Sequence, residues 1–566
     1  MKRNIYLLLL SIVAICTSCT GSWLDTVNEG SPTESNFWKT DNDFISATTS
    51  LYYCFSLEET WGRNLFWEQG ASDDIFYGRT RGSGQMNLAN LAMNGSTEGS
   101  IKDIYNEMYT TMAIANNIIY HALQISEANR TDIMKRSLGE AYFMRAFTHF
   151  MIAYRYGRPD NGVPFVRYEE LTDYNAQVNE IPTQSATVMD DYKLIVEDFQ
   201  SAANLLPWFK DYTSDNYGRP SKDAAYGFMV KAYAYWAQHD ATQWANIPSL
   251  VDKVESEGSR TLLDNYADVF KIDNNWSKEY IFSVNSSGYN YAGSEFPGIC
   301  LENKGWGAYN GWGNIKPTLE LFAEYNNNDT RRSATILQFG DTFTYFGTSK
   351  RYYSSSDNEC GFQFNKYMDP YSYGDLTAAG VGENNSHIST NGDRPTTDLN
   401  IPLMRFSELL LFKAEALIMQ GKNAEAAAPL NRIAVRAKEG ITYTAPTMMD
   451  LMHERRCELA GEYTDRLMDL KRWSAGGSAN WNLDALAKIQ TAKHGIGHAD
   501  RTNPDSPVKG ETMTINGKSY DGVISLANMG AKTYTPGGTY SVLPYEINQV
   551  IKSNGKLKQN SGYASK

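Results

Sequence analysis

Apolar residues recur at helical spacing through much of this chain, and the gaps in that rhythm divide it. From Ile101 to Ser126 the positions Ile104, Met108, Met112, Ala115, Ile119 and Leu123 share one helix face. Leu138 to Tyr156 is apolar almost all round, the pattern of a helix buried on every side, and Gly157-Arg158-Pro159 stops it. Val188 to Leu206, ended by Pro207, and the Ala- and aromatic-rich Asp223 to Gln238 predict two more helices. The rhythm returns at Leu403 to Gln420. A Gly421-Lys422 turn and a second helix, Asn423 to Lys438, follow, with small Ala residues at the contact positions. This pair is similar to a tetratricopeptide hairpin of about 34 residues. Residues 447–473 predict two further helices, and the chain then reads as loop to its C-terminus, with Gly476-Gly477 and Gly537-Gly538.

Between about 272 and 400 the pattern changes. Gly, Asn, Tyr, Trp and Ser dominate, and apolar pieces shorten to runs such as Tyr280-Ile281-Phe282-Ser283-Val284. Short strands and long loops are expected there, and long loops on a rigid scaffold are where binding residues collect. The expected fold is mostly α, with tetratricopeptide-like hairpins as a scaffold and a loop-rich insertion carrying short strands. Its parts are 41–271 (N-terminal helical), 272–400 (loop-rich ligand face), 401–475 (tetratricopeptide-like helices) and 476–566 (loop-rich C-terminal), all within one domain, 41–566.

The first residues follow a different logic. Met1-Lys2-Arg3 is positive, and Ile5 to Ile15 is apolar but too short to span a bilayer permanently. Cys16-Thr17-Ser18-Cys19 comes next, with Thr20-Gly21-Ser22 after it. Small residues around a cysteine at the end of a signal resemble the bacterial lipobox, although Cys16 stands where a Leu is usual. Residues 1–18 are therefore expected to be a lipoprotein signal, Cys19 the acylated residue, and 19–40 a lipidated tether that docks onto the body. An ordinary secretory signal cut nearby is the alternative. No later stretch is long and apolar enough to span a membrane.

Composition narrows the function. Aromatics make up 13% of the chain, with 37 Tyr and 12 Trp, more than a helical core needs. The net charge is −13, and removing Lys2 and Arg3 with the signal takes it to −15. Such a chain lacks the positive face that nucleic acid requires, whereas neutral ligands such as sugars suit it. Cys54, Cys300, Cys360 and Cys457 show no CxxC spacing and are expected to be free and buried. The seven His lack metal-ligand spacing, and no P-loop, GxSxG, HExxH or GxGxxG context occurs. No cofactor and no metal is expected.

Six blocks carry a family resemblance when taken in order. They are Trp23-Leu24-Asp25 with Asn36-Phe37-Trp38 and Tyr52-Tyr53; Gly139 to Phe147 running to Gly157 and Val163-Pro164-Phe165; and Gly218-Arg219-Pro220-Ser221-Lys222-Asp223-Ala224-Ala225. Then come Ile401 to Leu411 with Lys413-Ala414-Glu415-Ala416 and Val435-Arg436-Ala437; Glu454-Arg455-Arg456-Cys457-Glu458-Leu459 with Asp469-Leu470-Lys471-Arg472-Trp473; and the tail from Leu543-Pro544-Tyr545 to Gly562-Tyr563. Together they resemble the SusD/RagB family of outer-membrane lipoproteins of Bacteroidetes-type bacteria. The resemblance implies a lipid-anchored, surface-exposed outer-membrane protein. It would bind an oligo- or polysaccharide and deliver it to a SusC-like TonB-dependent transporter, without catalysis.

Two segments outside the predicted core helices pair aromatic planes with groups that hydrogen-bond hydroxyls. Trp61 to Arg81 contains Trp67, Asp73, Asp74, Arg79 and Arg81; Tyr289 to Trp312 contains Tyr289, Tyr291, Trp306, Tyr309 and Trp312. Trp306 and Trp312 stand out because Gly305, Gly307, Gly311 and Gly313 flank them and leave a ring room to project. The charged residues Glu140, Arg145, Glu408, Glu415, Glu454, Arg455, Arg456, Glu458, Arg466, Asp469 and Arg472 are expected to pair between helices instead. A peptide-binding surface lipoprotein, a protein-binding helical scaffold and a two-carboxylate glycoside hydrolase remain alternatives.

Overall fold

The computed structural model describes residues 37–77, 83–90, 92–93, 99–288, 292–298, 311–354, 359–376, 382–389, 395–464, 466–475, 493–527 and 542–564. Ten helices carry the body: α1 (Asp41–Ser50), α2 (Gly99–Gln124), α3 (Asp132–Tyr156), α4 (Val188–Leu205), α5 (Lys222–Trp236), α6 (Ile247–Ser256), α7 (Phe406–Met419), α8 (Asn423–Ala437), α9 (Met448–Leu459) and α10 (Arg466–Ala475). Consecutive helices pack as hairpins from α2 to α6, and α7 joins the two series by packing on α5, α6, α8 and α9. The mostly α expectation agrees with this architecture. Helices α1, α4 and α9 start on threonine capping boxes, in which Thr40, Thr187 and Thr447 exchange hydrogen bonds with Asp43, Asp190 and Asp450.

Strands occur in small sets. Those that bear on the argument are β1 (Ile75–Tyr77), β2 (Tyr280–Val284), β3 (Ile315–Pro317), the hairpin β4 (Thr342–Tyr345) and β5 (Thr348–Arg351), β6 (Ile401–Arg405), β7 (Lys493–Ile496), β8 (Glu511–Ile515) and β9 (Lys518–Ala527). Every residue of β2 and β6 is buried, and the two pair antiparallel. This corrects the expected helix start at Leu403: the chain stays extended through Arg405 because it pairs with β2, and helix begins at Phe406. Helix α5 seats on this ladder at Gly227, where a Cβ would come within 2.8 Å of Met404 Sδ and 2.9 Å of Ile281 Cγ2. The C-terminal part is also less loop-like than expected. Strands β7, β9 and β8 form a three-stranded antiparallel sheet, turned at Asn516-Gly517, both with positive φ.

The helices are tied together by buried charge. Arg145 in α3 binds Asp198 in α4 at 2.7 Å and Glu169 at 2.8 Å. Arg405, fully buried, binds Glu279 at 2.6 Å, Glu462 at 2.7 Å and Glu458 at 3.0 Å. Arg436 joins the same set through Glu279 (2.7 Å) and Glu458, and Arg331 reaches Glu454 at 2.8 Å and Glu458 at 3.6 Å. Burial alone would raise the Glu458 carboxyl, but Arg436, Arg405 and Arg331 hold it well below the usual carboxylate range. The charged blocks expected to pair between helices do so: Glu408 with Arg455, Glu415 with Arg472, Glu140 with Arg219 and Asp469 with both Arg455 and Arg472. Cys54, Cys360 and Cys457 are free and buried, and Cys300 lies outside the described residues.

Removing one member of a buried set strands its partners. Arg405→Ala is expected to lower the unfolding free energy of the mature protein by about 3–5 kcal/mol in urea titrations. Arg351→Ala, which breaks the exposed pair with Asp505, should change it by no more than about 0.5 kcal/mol. Equal effects would show that burial does not set the value of these pairs.

Candidate functional site

The first candidate segment turns inward. Residues Asn64–Ala71 form a 3₁₀ stretch that is buried throughout, and Trp61 stacks on Phe147 in the core. Trp67 has no exposed surface; its ring packs against Tyr77 at 4.5 Å, and the Tyr77 hydroxyl donates to the Trp67 carbonyl at 2.6 Å. Trp67 is therefore a core residue and presents no plane to a sugar.

Asp73 and Asp74 are likewise committed. Asp73 receives a bidentate pair from Arg466, 3.0 Å on each oxygen, and lies 3.1 Å from Arg456. Asp74, buried, accepts from Arg456 Nε at 2.7 Å. Burial opposes the charge on Asp73, but Arg456 and Arg466 outweigh it and keep that carboxyl well below its ordinary range. Lys493 adds a third strap: its buried ammonium donates to the carbonyls of Gly70 at 2.6 Å and Ile75 at 2.7 Å. Burial pulls this lysine down to about 8. The loop 70–77 is thus fastened to α9, α10 and β7, and both aspartates, expected as sugar ligands, are engaged by arginines.

What that loop carries is set by β1 and β3. They pair antiparallel, with Tyr77 opposite Ile315 and Ile75 opposite Pro317. The chain leaves β1 toward Arg79 and Arg81 at the end of the ladder where it enters β3 from Trp312. Thr318 secures the other end by donating to the Asp73 carbonyl at 2.8 Å. Trp312 is half-buried, and Gly313 beside it has φ of 57°, a conformation that favours glycine. The Arg63 guanidinium lies over the indole at 5.1 Å from its centroid and is itself paired with Glu58. Trp312, Arg63 and Glu58 therefore combine one aromatic plane with groups that hydrogen-bond hydroxyls. Arg63 was not singled out from the sequence; the signal for it was a lone Arg between Trp61-Gly62 and the aromatic pair Phe66-Trp67. Arg79, Arg81, Tyr289, Tyr291, Trp306, Tyr309 and the lipidation candidate Cys19 lie outside the described residues.

One described cluster has metal-ligand composition: Glu439, His453 and Glu454 lie close together. Cations already fill it. His453 places Nδ1 2.7 Å from Glu324 and Nε2 2.6 Å from Glu439, while Arg331 binds Glu439 and Glu454. Burial would depress the imidazole, but the hydrogen bonds it donates to Glu324 and Glu439 overcome it and push His453 up to about 10; both glutamates fall to about 2.

Comparison with known proteins places this helical-hairpin scaffold. The chain belongs to the SusD family: a model described as SusD family matches residues 278–563, and one described as starch-binding, associating with the outer membrane, matches 50–234. It is 22% identical to a SusD-like protein of Bacteroides ovatus over 508 residues, 84% of this chain and 83% of that one. A crystal structure of a SusD-like protein from Bacteroides fragilis superposes with a TM-score of 0.71 at 22% identity, covering 94% of this chain and 99% of that one. Surface glycan-binding protein A from Bacteroides thetaiotaomicron, in complex with laminarihexaose, gives 0.65 at 19% identity, covering 92% and 99%. No helix among the described residues is long and apolar enough to cross a membrane.

The His453 clasp gives a pH signature. The raised imidazole contributes stability that is full below about pH 6.5 and is lost as pH rises through about 10. The depressed Glu324 and Glu439 contribute above about pH 4.5 and lose it as pH falls toward 2. His453→Gln should therefore lower the melting temperature near neutrality and flatten its decline between pH 7 and 10. A variant with an unchanged alkaline limb would rule the clasp out.

Proposed function

We propose that this protein captures an oligo- or polysaccharide at the outer surface of the cell and passes it to a partner TonB-dependent outer-membrane transporter. Trp312 carries the reading: a glycine-flanked indole, partly exposed beside Arg63, at the ladder end toward which both aromatic segments run. Aromatic faces stack on the apolar faces of pyranose rings, and planar polar groups beside them select hydroxyls. The laminarihexaose-bound relative supports a glycan as cargo. Net negative charge supports a neutral one.

The proposal includes the anchor. Acylation of Cys19 would confine the body to the membrane surface, and the tether through about Lys39 would let it swing over a transporter. Trp38 is where the described chain docks, stacked on His121 at 4.5 Å. The action is binding without bond cleavage: Asp73 and Asp74, adjacent and held by arginines, are not placed as an acid–nucleophile pair.

Affinity gels containing laminarin, starch, xylan or mannan test the capture step. Trp312→Ala should weaken retardation by its preferred polymer about tenfold, the loss of a stacking plane worth on the order of 1–1.5 kcal/mol. Retardation unchanged by that variant would overturn the site, and steady release of reducing ends by the purified wild type would overturn the binding-only reading. Cys19→Ala should bind polymer normally yet lose labelling by radioactive palmitate and fail to support growth on it. Lost binding would mean that Cys19 has a role in the fold.

A further inference from the structure

Lys231 lies in α5 and is only 5% exposed. An ammonium carries three N–H donors and, once buried, needs acceptors for them. Its ion-pair partner is Glu408 of α7, at 3.4 Å, and that carboxylate oxygen already accepts from Arg455 at 2.9 Å. The ammonium makes no hydrogen bond to any described residue. It lines instead a small cavity of about 30 Å³ where α3, α5, β6 and the segment 61–69 meet. Trp61, Phe147, Phe150 and Phe228 give this space aromatic walls, and Gln69, Arg155 and Tyr463 add polar ends beside Lys231. Tyr154 and Tyr463 are half-buried and the rest of the lining is buried, so the way to bulk water passes these two rings.

The lining decides what such a space holds. A cavity walled by apolar groups alone stays dry, but a charged donor inside it reverses that balance. Charge argues against an ion. The two cations of the lining are already matched, Lys231 by Glu408 and Arg155 by Glu68 at 2.9 Å, so a halide would add an unpaired charge among aromatic rings. Size argues against an organic guest. A water molecule needs on the order of 10–15 Å³ of such space and two to four polar partners, so the cavity takes about two. Water is neutral, accepts from the ammonium and passes its own protons to oxygens. Two oxygens of the lining keep a lone pair for that purpose: the Gln69 side-chain carbonyl, which receives the Arg466 N–H at 3.0 Å, and the Tyr463 hydroxyl, which donates to the Trp61 carbonyl.

We propose that this cavity is a structural hydration site, in which two ordered waters complete the hydrogen bonding of the Lys231 ammonium and connect α5 to Gln69. Gln69 in turn fixes the start of α10, whose Arg466 holds Asp73. The waters thereby link the α3 and α5 hairpins to the clamp on the loop 70–77. The site is independent of what the protein binds.

Crystals of the mature protein soaked in sodium bromide, with data collected at the bromine edge, test it. Two solvent peaks are expected in the cavity, the nearer within about 2.7–3.2 Å of Lys231 Nζ, without anomalous signal. An anomalous peak beside Nζ would assign the space to a halide, and a cavity without density would leave Lys231 unsolvated; either result overturns the proposal. In solution, oxygen-17 relaxation dispersion counts long-lived waters. Lys231→Met, which keeps side-chain length and removes the donors, should show about two fewer than the wild type. Arg351→Ala, at an exposed pair, should show the same number as the wild type. A folded Lys231→Met protein with its long-lived waters undiminished would overturn the proposal too. Should that variant fail to fold, the wild-type crystals decide alone.

Discussion

A charge buried in a protein core must be met by another, and here that requirement is concentrated on one helix turn. Glu454, Arg455, Arg456 and Glu458 lie within five residues of α9; successive residues are rotated by about 100°, so Arg455 and Arg456 leave in directions of their own, while Glu454 and Glu458, four apart, share a face and both approach Arg331. Glu454 reaches Arg331; Arg455 reaches Glu408 and Asp469; Arg456 reaches Asp73 and Asp74; Glu458 reaches Arg405 and Arg436. One turn of helix thereby fixes α7, α8, α10, β6 and the loop before β1. Desolvating each ion costs several kcal/mol, so the set adds little net stability. Its effect is on register: no partner can slip by a residue without stranding a charge.

The ladder that leads to Trp312 inherits this constraint. Asp73 and Asp74 are clamped to α9 and α10, Lys493 holds the carbonyls on either side of them, and β1 leaves that clamp to pair with β3. Trp312 enters β3 three residues before Ile315, so its position traces back to the arginines of α9 through hydrogen bonds and one strand ladder. A loop of aromatic residues on a flexible support would lose side-chain and backbone entropy on every binding event. Strapping the support in advance removes much of that loss, which suits ligands whose individual contacts are weak.

Much of the scaffold was legible because helical periodicity is local. Helices α2, α4, α5 and α8 appear within two residues of their predicted bounds, and α3 begins six residues earlier than its apolar run, at Asp132. Errors arose where a distant partner decided the outcome. Leu403 lies in an apolar run that reads as helix, yet β2, more than a hundred residues earlier, pairs with it as strand. Asp73 reads as a hydroxyl ligand until Arg466, 393 residues away, occupies it. Trp67 shows the limit of composition: an aromatic among polar neighbours gives no sign of which way its ring faces. The C-terminal sheet was legible in principle, since Asn516-Gly517 between alternating apolar residues is a strong hairpin signal. The reading of Trp312 rests on its glycine neighbours, which are themselves local evidence.

A protein that captures a ligand in order to pass it on, as proposed above, must also let it go. A site that gained about 1.4 kcal/mol would hold its ligand tenfold longer if the gain fell on dissociation, and would slow transfer by the same factor. Confinement at a membrane would offset weak binding, because a weak binder beside its partner outcompetes a free one by proximity alone. Under that reading the charge-locked support of β1 has one use: it fixes geometry in advance, so that modest contacts suffice and no deep site is required.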